Sequence, residues 1–117
     1  MTVFTEGFYT GEYILSEANG KRGRGKGTVA IGNELVAGAI VELTGGEYVP
    51  ATNGGTDPVA ISYAPVNATE AAVEGAVFSV RDTVVKKDNI GYPEGFDDAM
   101  ETALDERLAA QGIKVVV

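Results

Sequence analysis

The sequence predicts a mainly β protein with one α-helix in its C-terminal half: a small compact body, barrel-like or sandwich-like, preceded by an extended N-terminal arm. Three observations carry this prediction. Short β-prone runs recur between residues 28 and 85, each bounded by Gly, Asn, Asp or Pro. A single segment, residues 93–112, has apolar residues at helical spacing. Four of the nine aromatic residues (Phe4, Phe8, Tyr9 and Tyr13) precede a run of glycines and cations at residues 20–27.

Taken in order, residues 1–20 read as a β-prone arm, because Ile14 and Leu15 follow the aromatics and disordered tails normally lack such residues. As a strand, Thr10, Glu12 and Ile14 face one way and Tyr9, Tyr13 and Leu15 the other. Residues 20–27, Gly-Lys-Arg-Gly-Arg-Gly-Lys-Gly, are half glycine and half cationic. Glycine loses the most backbone entropy on ordering, and like charges repel, so the composition predicts a flexible linker. This divides the chain into an arm and linker, 1–27, and a globular body, 28–117.

Within the body, Thr28 to Ile31 reads as a short strand ending at Gly32-Asn33. Leu35 to Leu43 is apolar-rich, with Gly38 marking a bulge or a close backbone approach. Thr44-Gly45-Gly46-Glu47 predicts a tight hairpin, and Tyr48 to Pro50 the return strand, which Pro50 confines to an edge or an end. Residues 52–57 form a loop, Val59 to Tyr63 a strand, and Asn67 to Glu70 a turn. Ala76 to Arg81 is the next strand, running on to Val85. Pro93 suits a first helical turn, and Phe96, Met100, Ala103, Leu104 and Leu108 form the apolar stripe of the helix. Asp97, Asp98 and Arg107 sit where the macrodipole favours them. Gly112 is the helix stop, and Ile113 to Val117 a closing strand.

Composition narrows the chemistry. The 117 residues include 17 acids and 9 bases, for a net charge of −8, with no Cys, His or Trp. Residues 1–26 hold three acids and four bases; residues 27–117 hold fourteen acids and five. Thiol, imidazole, zinc and iron–sulfur chemistry all need residues this chain lacks. An acidic body repels nucleic acid and anionic membranes, and no apolar stretch approaches the ~20 residues that span a bilayer. No basic leader precedes an apolar core, so no signal peptide is expected. Gly20, Gly25 and Lys26 fit the start of a P-loop, but Gly27 stands where the motif needs Ser or Thr, and a strand pattern follows instead of a helix. The helix carboxylates Asp97, Asp98, Glu101, Asp105 and Glu106 fall off the apolar stripe and read as a solvated acidic face. No catalytic residue, metal site, cofactor or small-molecule substrate is expected.

What remains is the arm. A strand detached from its own core by a hinge suits donation to a partner's sheet edge, where main-chain hydrogen bonds give affinity and alternate side chains give specificity. The other reading is a small protein-binding adaptor, or another structural domain, whose arm is its own first strand.

The order Gly11-Glu12-Tyr13-Ile14-Leu15-Ser16-Glu17-Ala18-Asn19-Gly20 resembles the arm of lambda-type phage head decoration proteins. The resemblance continues through Ala37 to Val41, Ile61 to Ala64, Val80-Arg81-Asp82, Tyr92 to Gly95 and Gly112 to Val115. It implies a structural protein that is made in the host cytoplasm and sits on the outer surface of the expanded capsid. There it trimerises and cements the major capsid protein against the pressure of packaged DNA, with its arm adding to capsid β-structure. The capsid-binding residues it implies are Tyr13, Ile14, Leu15, Ser16, Glu17, Ala18 and Asn19; the reading of the arm as a donated strand adds Tyr9. Lys21, Arg22, Arg24 and Lys26 would then be linker cations that steer the arm toward an acidic surface.

Overall fold

In the computed structural model, residues 14–17, 23–52 and 54–117 are described; for Leu15, Ser16 and Glu17 this is the backbone alone. The strands are β1 (Ile14–Glu17), β2 (Arg24–Val29), β3 (Asn33–Leu35), β4 (Ile40–Thr44), β5 (Glu47–Pro50), β6 (Val59–Ser62), β7 (Val66–Ala68), β8 (Val73–Ser79), β9 (Thr83–Lys86) and β10 (Ile113–Val116). The helix α1 spans Asp98–Ala110. Strands β2-β5-β4-β6-β8 close into a barrel, β1-β9-β10 form a separate three-stranded sheet, and β3 pairs with β7. The expected mainly β, one-helix architecture is therefore present, in its barrel form.

Strand alternation builds two cores on opposite sides of the barrel wall. Each barrel strand turns a side chain into the lumen: Val29, Val41, Tyr48, Ala60, and Ala76 with Phe78. Tyr48 and Phe78 stack there with centroids 4.0 Å apart, a contact worth about 0.5–1.5 kcal/mol beyond its buried area. The intervening residues face outward. Ile40, Val59 and Ile61 pack under Leu104 and Leu108 of α1, Val85 of β9 and Ile113 of β10. This explains why β6 is buried along its whole length: it has a core on each face.

The hairpin at Gly45-Gly46 has both residues at positive φ, +61° and +88°, the conformation of a type I′ turn. Gly38 does mark a close approach: its φ is +91°, and a Cβ there would lie 2.6 Å from the Asn89 carbonyl oxygen. Gly112, with φ +85°, follows the last residues of α1 and precedes β10.

Four expectations change. Asn67 and Ala68, read as the start of a turn, lie in β7, paired with Glu34 and Asn33 of β3. The strand predicted to run from Ala76 to Val85 breaks after Ser79; Asp82 takes φ +53° and β9 leaves for the other sheet. Pro93 precedes the helix instead of opening it. Asp97 is the N-cap, its carboxylate accepting the Met100 N–H at 2.9 Å, because a capping carboxylate satisfies a donor that no proline can. Residues 24–27, assigned to a flexible linker by composition, are instead most of β2, hydrogen-bonded along β8 from Arg24↔Ser79 to Gly27↔Ala76.

The glycines of that segment have a packing role. Gly23, Gly25 and Gly27 alternate with Arg24 and Lys26, so they share the lumen-facing side with Val29. A Cβ at Gly27 would fall inside van der Waals contact with the Tyr48 ring, 2.8 Å from Cδ2, and one at Gly23 would lie 2.7 Å from the Arg81 carbonyl oxygen. The segment is glycine-rich because barrel closure brings aromatic rings and backbone against it, and the cations occupy the outward positions between.

Candidate docking surface

Two surfaces concern the residues singled out from the sequence. The first is the sheet β1-β9-β10. Strand β1 runs antiparallel to β9, pairing Ile14 with Val85, Ser16 with Val84 and Glu17 with Thr83, with an irregularity between Ile14 and Ser16. Strand β10 lies parallel on the other side of β9. Because β9 is central, β1 is an edge strand, and its outward side has no partner among the described residues. Ile14 is half-buried against the core under α1.

The second surface is formed by β2, β8 and residues 63–67, which lead from β6 into β7. The Arg24 guanidinium stacks over the Tyr63 ring, 4.2 Å from its centroid. Arg24, Gly25, Lys26, Tyr63 and Val77 line a cavity of about 380 Å³. A second cavity of about 470 Å³ shares Tyr63 and Val77 and continues past Pro65, Val66 and Val73 to Glu74. Together they make one groove, cationic at one end and mostly apolar along its floor.

Elsewhere several ionisable groups are committed to the fold. Lys87, in the 3₁₀ turn after β9, donates to Tyr92 Oη at 3.0 Å and to Asp105 Oδ2 at 2.9 Å, and Tyr92 donates to the other Asp105 oxygen. Burial, with the Asp105 carboxylate beside it, pushes the Tyr92 phenol up to about 12. Hydrogen bonding to Tyr92 and Asp105 raises Lys87 above its usual range. Asp105, expected on a solvated face, is thus held in this cluster, since β9 and its following turn pack against α1. Arg107, read as a macrodipole partner, reaches Glu42 of β4. Among the described residues no group of His, Cys, Asp or Glu could hold a metal ion, and no helix is long and apolar enough to cross a membrane.

A model of the bacteriophage lambda head decoration protein D family matches residues 3–113, nearly the whole chain, from before β1 to the first residue of β10. The chain belongs to that family. For a head decoration protein the expected location is the capsid surface, and a structural role is implied in place of a catalytic one. No curated protein matches the chain.

The structure brings Ile14 to Glu17 together on one sheet edge, and Arg24 and Lys26 onto one barrel face. Tyr9, Tyr13, Ala18, Asn19, Lys21 and Arg22 lie outside the described residues. Sequence reasoning missed the groove, because its cations come from β2 and its ring from the bend after β6, 39 positions apart from Arg24 to Tyr63. The alternation of glycine and cation in 23–27 was the available signal. Strict alternation is a strand pattern, whereas the composition of the same residues suggested a linker.

Proposed function

We propose that this decoration protein binds the exterior of the expanded phage head as a homotrimer, cementing the major capsid protein against internal DNA pressure. The observation that carries the reading is the family match over residues 3–113. Three features support its finer parts. A 117-residue, glycine-rich chain buries a limited fraction of its surface alone, which favours closed assembly. A trimer presents three docking segments at once, and linked sites gain ~10²–10⁴ in avidity over one. A net charge of −8 suits an exterior cap kept away from DNA.

For attachment, the segment from Tyr9 to Asn19 is the capsid-binding arm. The pairing of Ile14–Glu17 with β9 favours one element of the alternative reading: these four residues act as the chain's own first strand. The two roles are compatible. An edge strand held by β9 on one side offers its other row of N–H and C=O groups to a capsid strand.

Removal of residues 1–17 tests this, since the closed barrel loses no strand. The truncated protein is expected to stay folded and to lose co-sedimentation with expanded heads. Full binding by a folded truncated protein would overturn the arm mechanism while leaving the decoration role intact.

A further inference from the structure

Two aromatic residues of the arm have no part in the proposed capsid contact. Tyr9 and Tyr13 belong to the segment from Tyr9 to Asn19, whereas Phe4 and Phe8 precede it. Both phenylalanines lie outside the described residues and inside the family match, which begins at residue 3. In an extended chain they fall on one face and Tyr9 and Tyr13 on the other, so a capsid strand that engages the tyrosines leaves the phenylalanines to find a different surface.

The body holds an apolar surface of matching size. The part of the groove beyond Tyr63 has a volume of about 470 Å³, and Glu74 is the one charged residue among those that line it. Val66, Val73 and Val77 are half-buried along it. Val77 belongs to neither core, and Gly75 leaves a gap between Val73 and Val77, where a Cβ would meet nothing within 4 Å. The spacing agrees as well. Phe4 and Phe8 are four residues apart, and so are Val73 and Val77; four extended residues span ~13 Å. Two rings on one face of an extended segment therefore meet the two valines, with Glu6 over the open gap at Gly75.

Direction and reach select the copy that supplies the rings. Strand β1 runs from Ile14, opposite Val85, to Glu17, opposite Thr83. Thr83 is the end of β9 that follows β8, the strand carrying the groove, so Ile14 sits at the end remote from it. An arm that continues the line of β1 leads away from its own groove. The ten residues from Ile14 back to Phe4 extend to about 33–36 Å, and the molecule itself is 35 Å long, so such an arm spans to a neighbour.

We propose that the apolar groove at Val66, Val73 and Val77 takes Phe4 and Phe8 of a second copy of this chain. One arm then makes two contacts: Tyr9 to Asn19 meets the capsid, and the phenylalanines clasp the next copy. The contact is heterologous, and such contacts close into rings when the rotation permits. This rests on the homotrimer reading above and gives it a specific interface.

Sedimentation equilibrium and photo-crosslinking of the full chain test the proposal. The wild-type protein is expected to associate. F4A/F8A should weaken association by about tenfold or more, as loss of buried aromatic anchors does. V77D, which places a charge in the groove, should weaken it similarly. The protein carrying all three changes should associate no more weakly than the weaker of these two, because both remove the same contact. V77A gives the same reading at smaller amplitude should V77D fail to fold, which far-UV circular dichroism would reveal. With benzoylphenylalanine in place of Phe4, irradiation should yield a covalent dimer whose cross-link maps to residues 63–77 of the second chain. A cross-link to those residues within one chain overturns the second copy as occupant. A cross-link only elsewhere, or an associated wild type with unchanged association of F4A/F8A or of folded V77D (V77A in its place), overturns the groove contact and leaves the trimer reading standing. A wild type that stays monomeric overturns the trimer reading and this interface together.

Discussion

Arg107 of α1 reaches across the molecule to Glu42 of β4, Nη2 to Oε1 at 3.1 Å, and ties the helix to the barrel wall. The pair is largely buried, with side chains 18 % and 8 % exposed. It is also fully supplied with further partners. Arg107 donates to the carbonyl oxygens of Thr52 and Asp57 at 2.8 and 2.9 Å, and Glu42 accepts from the Thr52 N–H at 3.1 Å. One ion pair therefore fixes three things: the helix, strand β4 and the loop that follows β5.

Removing one partner leaves a buried charge uncompensated. R107M should destabilise the protein by about 3–5 kcal/mol, read from the midpoint of urea unfolding. E42M/R107M should be less destabilised than R107M, because two apolar side chains replace two charges. Equal loss in the single and double variants would mean that Arg107 acts through its loop carbonyls and not through Glu42.

The packing role of the β2 glycines separates barrel strand from linker. G27A places a methyl group against the Tyr48 ring and should cost about 1–3 kcal/mol, the usual penalty of overpacking. K26A, on the outward side of the same strand, should stay within about 0.5 kcal/mol. In a flexible linker the order reverses, since replacing glycine by alanine there restricts the unfolded chain and is neutral or stabilising. Thermal melts of the two variants decide between them.

That contrast shows where the sequence was legible. The order of the barrel strands, the Gly45-Gly46 hairpin and the Gly112 stop follow from local rules, because the cause of each lies within a few residues; Gly38 is marked by its residue type alone, since the Asn89 carbonyl it meets is 51 positions away. The role of residues 23–27 does not. Whether Gly-x-Gly-x-Gly is a hinge or a packed strand depends on Tyr48 and Phe78, whose rings reach it only after the barrel closes. The same holds for Asp105 and Arg107. On the helix they are two charges among several; their partners Lys87, Tyr92 and Glu42 come from elements 13 to 65 positions away.

The Lys87–Tyr92–Asp105 cluster makes stability fall at alkaline pH. Tyr92 is raised from its ordinary 10.0 to about 12 in the folded protein. A raised value means that the unfolded chain loses this proton first. The stabilisation is therefore complete below pH 10 and is lost as pH climbs toward 12. Lys87 is raised as well and adds a loss of the same sign. Unfolding free energy measured by urea titration across this range should decline in the wild type and less steeply in Y92F. Identical slopes would place the phenol outside the alkaline transition.

Decoration of the head is the central claim, and co-sedimentation with phage heads before and after expansion tests it most directly. The protein is expected to pellet with expanded heads to a fixed saturating ratio and to leave unexpanded heads bare. Absence of the protein from the expanded-head pellet at saturating concentration would contradict the account.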